Sequence, residues 1–157
     1  MDGVGCDARG PATVMINDVS REKANRMKKF ALLIYTDDTL LDALPEGKFD
    51  ASMRDCLAHA DDLRSEGRLL DSQMLEGADR ARSMRVRSGR RTIVDGPFAE
   101  TKELLAGFNI IEAEDIDEAC RMAAEFPWAE TGCIEVREVR DIGAVRERVG
   151  SATAASV

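Results

Sequence analysis

From Phe30 the chain runs Phe-Ala-Leu-Leu-Ile-Tyr, apolar at consecutive positions, which predicts a central strand covered on both faces. Thr36-Asp-Asp-Thr and Pro45-Glu-Gly47 then predict a loop. A helix is expected from Asp50, as N-cap, to Gly67, which sits where a C′ glycine ends a helix. Met53, Cys56, Leu57, Ala60 and Leu63 form its apolar stripe, with Arg54, Asp55, Asp61 and Asp62 opposite and His59 at the stripe's flank. Residues 69–75 fit a second strand. In 83–88, Met84 and Val86 alternate with Arg85 and Arg87, the period of a half-exposed strand, and 91–94 continue it after a turn at Ser88-Gly89. Residues 105–114 fit a further strand with Phe108, Ile110 and Ile111 as its apolar content. Asp115-Ile-Asp-Glu118 reads as a capping box opening a helix whose stripe is Ile116, Ala119, Cys120 and Ala123, closed by Phe126-Pro127. Residues 133–139 alternate as a last strand, and 140–149 fit a short terminal helix. The order, β-α-β-β-(loop)-β-α-β, predicts an α+β sandwich of the ferredoxin-like β-α-β-β-α-β kind.

The pattern is confined to part of the chain. Residues 1–26 carry scattered Gly, Pro, Asp, Asn and Ser without a sustained period, and are expected to form a flexible arm. The character changes at Met27, the expected start of a folded domain over 27–140 and a candidate translation start. Residues 141–157 read as a tail with a short helix. The arm's charges cancel (Asp2, Asp7, Asp18 and Glu22 against Arg9, Arg21, Lys23 and Arg26), so the whole net charge of −8 lies beyond it.

Composition narrows the classes. The chain of 157 residues is 44% hydrophobic and 33% charged, enough apolar content to bury one core. The negative balance opposes non-specific binding of nucleic acid, whose phosphates it repels. No apolar run approaches the roughly 18 residues of a membrane span, so a soluble, cytoplasmic protein away from membranes is expected. Cys6, Cys56, Cys120 and Cys133 are widely spaced and His59 stands alone, which points to free thiols and to no metal or organic cofactor.

One segment concentrates unusual chemistry. In Val94-Asp-Gly-Pro-Phe-Ala-Glu-Thr-Lys-Glu103, Asp95-Gly96 makes a sharp turn, Pro97 stiffens its exit, and Phe98 is placed to anchor it. Glu100, Lys102 and Glu103 follow at once. A well-made connection with a solvated face accounts for the same residues. The string DGPFAETKE over 95–103, with Gly107-Phe108, Asp117-Glu118-Ala119 and Ile134-Glu-Val-Arg137, resembles the DGPF group of the YciI-like, YCII-related family across about residues 27–140. That resemblance implies a ferredoxin-like protomer pairing into a homodimeric α/β barrel with a cleft near the dimer axis. Related proteins have been proposed to work through a His–Asp dyad. Counting back from Gly67 puts Cys56 where that histidine would stand, and Phe126 occupies the aspartate's place before Pro127, so the dyad is absent.

The candidate site residues are therefore Asp95 and Glu100 as acid and base, with His59 a weaker third. Arg85, Arg87 and Lys102 are candidates to hold an anion, with Gly96, Pro97 and Phe98 shaping the loop beside them. Against this, the arginines have Glu112, Glu135 and Glu138 as candidate partners on neighbouring strands, Arg137 has the same two readings, His59 suits a helix boundary, and Cys56 suits a core thiol. Two functions follow. One is the binding of a small anionic metabolite in the cleft of a homodimer, with cofactor-free turnover as its stronger form. The other is a non-catalytic accessory or regulatory module that binds a protein, with a link to transcription because similar domains occur joined to sigma factors.

Overall fold

A computed structural model of the protein describes residues 27–97 and 101–151. Its centre is a four-stranded antiparallel sheet ordered β2-β5-β1-β6, where β1 is Lys28–Asp37, β2 Leu69–Met74, β5 Glu103–Ala113 and β6 Gly132–Glu138. Two further strands, β3 (Arg82–Arg87) and β4 (Arg90–Asp95), form a separate ribbon. The four helices are α1 (Asp38–Asp42), α2 (Lys48–Ser65), α3 (Ile116–Ala124) and α4 (Ile142–Arg148). A mixed α+β fold with antiparallel sheets results, consistent with a ferredoxin-like arrangement into which the β3–β4 hairpin is inserted. Among the described residues no helix is long and apolar enough to cross a membrane.

The core lies between the sheet and α2 and α3. Phe30, Leu32 and Ile34 of β1 alternate onto that side and are buried with Ile111 and Ala113 of β5, Ala60 and Leu63 of α2, and Ala119, Met122 and Ala123 of α3. Ala31, Leu33 and Tyr35 alternate to the other side and are half-buried. β1 is thus central, but helices cover one face and not two. Both βαβ crossovers return α2 and α3 to the same side of the sheet, as their common hand requires.

Two helix boundaries differ from the sequence reading. α2 begins at Lys48 behind Gly47, whose φ of 75° serves as N-cap after the Pro45 turn, and Asp50 falls in the first turn. The C-terminus follows expectation: Gly67 adopts φ of 71°, Arg68 N donates to Leu63 O (2.8 Å) and Gly67 N to Arg64 O (3.0 Å), a Schellman closure. The expected loop at 36–39 is instead the end of β1 and the start of α1, because the Asp37 carboxylate caps Thr39 N at 2.8 Å. At the head of α3 the Asp115 carboxylate accepts from Glu118 N (2.8 Å), and Glu118 reaches back to Glu114 N (2.6 Å), one residue beyond the usual box.

The hairpin departs most from the alternation-based reading. Ser88-Gly89 makes the predicted two-residue turn, with φ of 50° and 72°. Yet β3 and β4 pair only with each other, so Arg85 and Arg87 have no neighbouring strand bearing Glu112, Glu135 or Glu138. Instead Glu138 pairs with Lys28 at 3.1 Å and Glu135 with Arg137.

Candidate functional site

A cavity of about 330 Å³ opens between α2 and the sheet. Its floor is built by three strands: Ile34 and Thr36 from β1, Asn109 and Gly107 from β5, Ser72 and Met74 from β2. Phe49, Met53, Cys56, Leu57 and Ala60 form the roof on α2, and Leu41, Phe126 and Trp128 close the ends. Gly107 keeps the floor open and β2 close, since a Cβ there would lie 2.7 Å from Gln73 O. A register shift opposite Ile34–Tyr35 leaves Ala106 as an extra residue on β5, and this bulge brings both Ala106 and Gly107 to the cavity. The stripe predicted for α2 is thereby divided. Ala60 and Leu63 enter the core, whereas Leu57, 56% exposed, forms part of the cavity's rim.

The wall carries no charged side chain among the described residues that line it. Its polar groups sit mainly on the floor. Asn109 is 3% exposed and stands directly opposite Ser72 in the β2–β5 register, on the side facing α2. It lines the cavity, so an amide, which can both donate and accept, is part of the floor. The sequence reading passed over Asn109. The signal was present, a polar side chain between Phe108 and Ile110 in an apolar strand, but period alone does not tell which face that residue takes.

Cys56 and Phe126 both line this cavity. The Trp128 indole N–H donates to Cys56 Sγ at 3.1 Å. Burial pushes the Cys56 thiol up from its ordinary value, and the indole hydrogen bond opposes this in part. Phe49 stacks obliquely on Trp128 with ring centroids 5.5 Å apart, so the aromatic end is packed.

The remaining candidates lie elsewhere. His59 faces the end of α3, where Nε2–H donates to Met122 O at 3.3 Å, Nδ1 lies 3.5 Å from Glu125, and the ring meets Phe126 edge-on at 4.5 Å. It joins two helices and does not line the cavity. Arg85, Arg87 and Asp95 are exposed on the hairpin, where Asp95 pairs with Arg82 at 3.1 Å. Gly96 donates its N–H to Ala81 O (2.7 Å), and its carbonyl accepts from the Ser83 hydroxyl (3.0 Å), pinning the start of the DGPF turn to the hairpin's base. Pro97 and Lys102 are exposed beside it, and Phe98 and Glu100 lie outside the described residues. None of the hairpin's candidates reaches the α2 cavity within one protomer.

A different cluster occupies the helix-free face of the sheet. The Tyr35 hydroxyl donates to Glu135 (3.4 Å), which also pairs with Arg137. Burial, then the adjacent Glu135 charge, raises the Tyr35 phenol above its ordinary value. Among the described residues no group of three or more His, Cys, Asp or Glu side chains is placed to hold a metal ion.

Comparison with known proteins places these features in a family context. A family model described as the YCII-related domain matches residues 28–143. An uncharacterised protein of Rhizobium meliloti is 34% identical over 110 residues, covering 69% of this chain and 89% of the relative.

Proposed function

The chain belongs to the YCII-related family, and from that premise we propose that it binds a small molecule in the cavity beneath α2. The observation that carries this reading is the cavity's construction. Its volume of about 330 Å³ suits a small organic ligand, and its wall is apolar with a few convergent polar groups, the usual make-up of a ligand site. The cavity also takes in Cys56 and Phe126, the positions at which the resemblance places the dyad. With a thiol raised by burial and no carboxylate or imidazole on the described wall, the residues favour binding over general acid–base turnover.

A thermal-shift screen of neutral and charged small molecules tests this. A ligand at one hundred times its dissociation constant stabilises by about 2.7 kcal/mol. The chain's single tryptophan, Trp128, lies in the wall, so a true hit also changes its emission. Met53→Trp, which fills the cavity, is expected to abolish the stabilisation. Hits that survive Met53→Trp, or silence across the panel, overturn the proposal and favour an accessory module that binds a protein.

A second reading, pairing of two copies, is favoured by the hairpin. Met84, Val86 and Ile93, each more than half exposed, share one of its faces with Arg82, Arg91 and Asp95, while Arg85, Arg87 and Arg90 share the other with Val94. Together with the half-buried Leu33, Phe108 and Ile110 on the helix-free side of the sheet, this gives each copy two surfaces with exposed or half-exposed apolar side chains for a partner copy to cover. In a homodimeric barrel of that kind, Arg85, Arg87 and Lys102 would hold an anion in a cleft that a single protomer does not form.

A further inference from the structure

We propose that the α2 cavity selects an uncharged, largely apolar ligand carrying one carbonyl or carboxamide group, which Asn109 and Ser72 recognise together. This rests on the cavity being a ligand site and adds the chemical class of what enters it. Three observations point the same way.

The first is charge. No ionised side chain lines the wall among the described residues, and the chain's net charge is −8. A carboxylate or phosphate entering the cavity would lose its hydration without gaining a counter-charge, an expensive exchange in an apolar setting. The arginines that match an anion stand on the hairpin, exposed, outside this cavity.

The second is Asn109. Only 3% exposed, it brings an amide into an otherwise largely apolar wall. A ligand that covers this amide must pair with it, or its hydration is lost uncompensated. Ligand carbonyl and N–H groups can pair with it, since an asparagine offers two N–H donors and a carbonyl acceptor. A hydrocarbon supplies neither.

The third is placement. Ser72 is the cross-strand partner of Asn109, so its hydroxyl adds a donor or acceptor at the same spot on the floor. The rest of the wall, chiefly Phe49, Met53, Leu57, Met74, Phe126 and Trp128, is suited to an aliphatic or aromatic body. A ligand therefore lies with its polar end on β5 and β2 and its apolar body under α2.

Benzamide, benzoate and ethylbenzene are matched probes, similar in size and differing in the group presented to Asn109. Their affinities for the full chain are read from Trp128 emission and from thermal shift. Benzamide is expected to bind at least tenfold more tightly than either of the others, and Asn109→Leu is expected to erase its advantage over ethylbenzene. Ser72→Ala, a milder change on the same floor, reduces that advantage and serves if the leucine variant does not fold. Ethylbenzene binding as tightly as benzamide overturns the recognition by Asn109 while leaving the cavity a ligand site. Benzoate binding most tightly overturns the uncharged class in the same way. If no probe moves either signal and a broad screen is also silent, the ligand site itself falls, and this inference with it.

Discussion

The Cys56 thiol sits under an indole N–H at 3.1 Å, half-buried in the cavity wall. Burial raises its pKa, so less thiolate forms near neutral pH, and thiolate is the reactive species. Cys120 and Cys133 are exposed. At pH 8, alkylation followed by mass spectrometry is expected to label Cys56 at least about tenfold more slowly than those two. Equal rates would mean that α2 opens readily over the cavity, and the thiol's burial would then not describe the protein in solution. A cavity ligand should slow Cys56 further and leave the others unchanged.

At the scale of elements, α3 is held at its start by a knot of charges. Arg68 donates from Nε to Glu112 O (2.7 Å) and from Nη2 to Glu118 (2.9 Å), tying the start of β2, the end of β5 and the first turn of α3 together. The Glu114 N–H is the main cause that holds the Glu118 carboxyl below its ordinary range, with Arg68 adding to it against the opposing cost of burial. A carboxyl depressed in the folded state stabilises the fold above its unfolded value of about 4.3, and that contribution disappears as pH falls through the lower folded value. Glu118→Gln is therefore expected to cost about 1 kcal/mol at pH 7, in denaturant unfolding, with the gap closing below about pH 4. A gap that stays constant down to pH 3 would show that the charge of Glu118 contributes nothing. The capping box was legible in sequence because its signal is local, four residues with fixed roles. The start of α2 was less so, since Gly47 opens it through backbone conformation and offers no capping side chain to read. Asp50 carried a cap's chemistry three residues too late. The cavity was least legible. It depends on the β5 bulge at Ala106, on the closeness of β2 to Gly107, and on Asn109 facing α2, all of which are pairings between segments far apart in sequence.

For the whole molecule, the exposed apolar side chains of the described residues bear on whether copies pair. A two-stranded hairpin is marginal in water without support, yet nearly every residue of β3 and β4 is exposed, Met84 at 62% and Ile93 at 55% among them. The sheet's helix-free side is apolar at its centre through Leu33, Phe108 and Ile110, with Glu135 and Arg137 on the outer strand. Burying such surface is worth about 25 cal/mol per Å², so two copies that cover each other's hairpin and sheet gain more than either does alone. The expected result in sedimentation equilibrium is a particle of twice the chain mass. Ile93→Asp should shift it toward one chain, because a carboxylate introduced opposite Met84 must be desolvated at the interface but costs little on an exposed monomer. Circular dichroism should then report a four-stranded core still folded, since β3 and β4 pair with no strand of the main sheet. A wild-type particle of one chain mass would rule out pairing and leave the hairpin a surface for another protein. A dimer unmoved by Ile93→Asp but broken by Leu33→Arg would place the contact on the sheet face alone. In that event an anion held by Arg85 and Arg87 would sit outside the interface, and the cavity beneath α2 would be the remaining place for a small ligand.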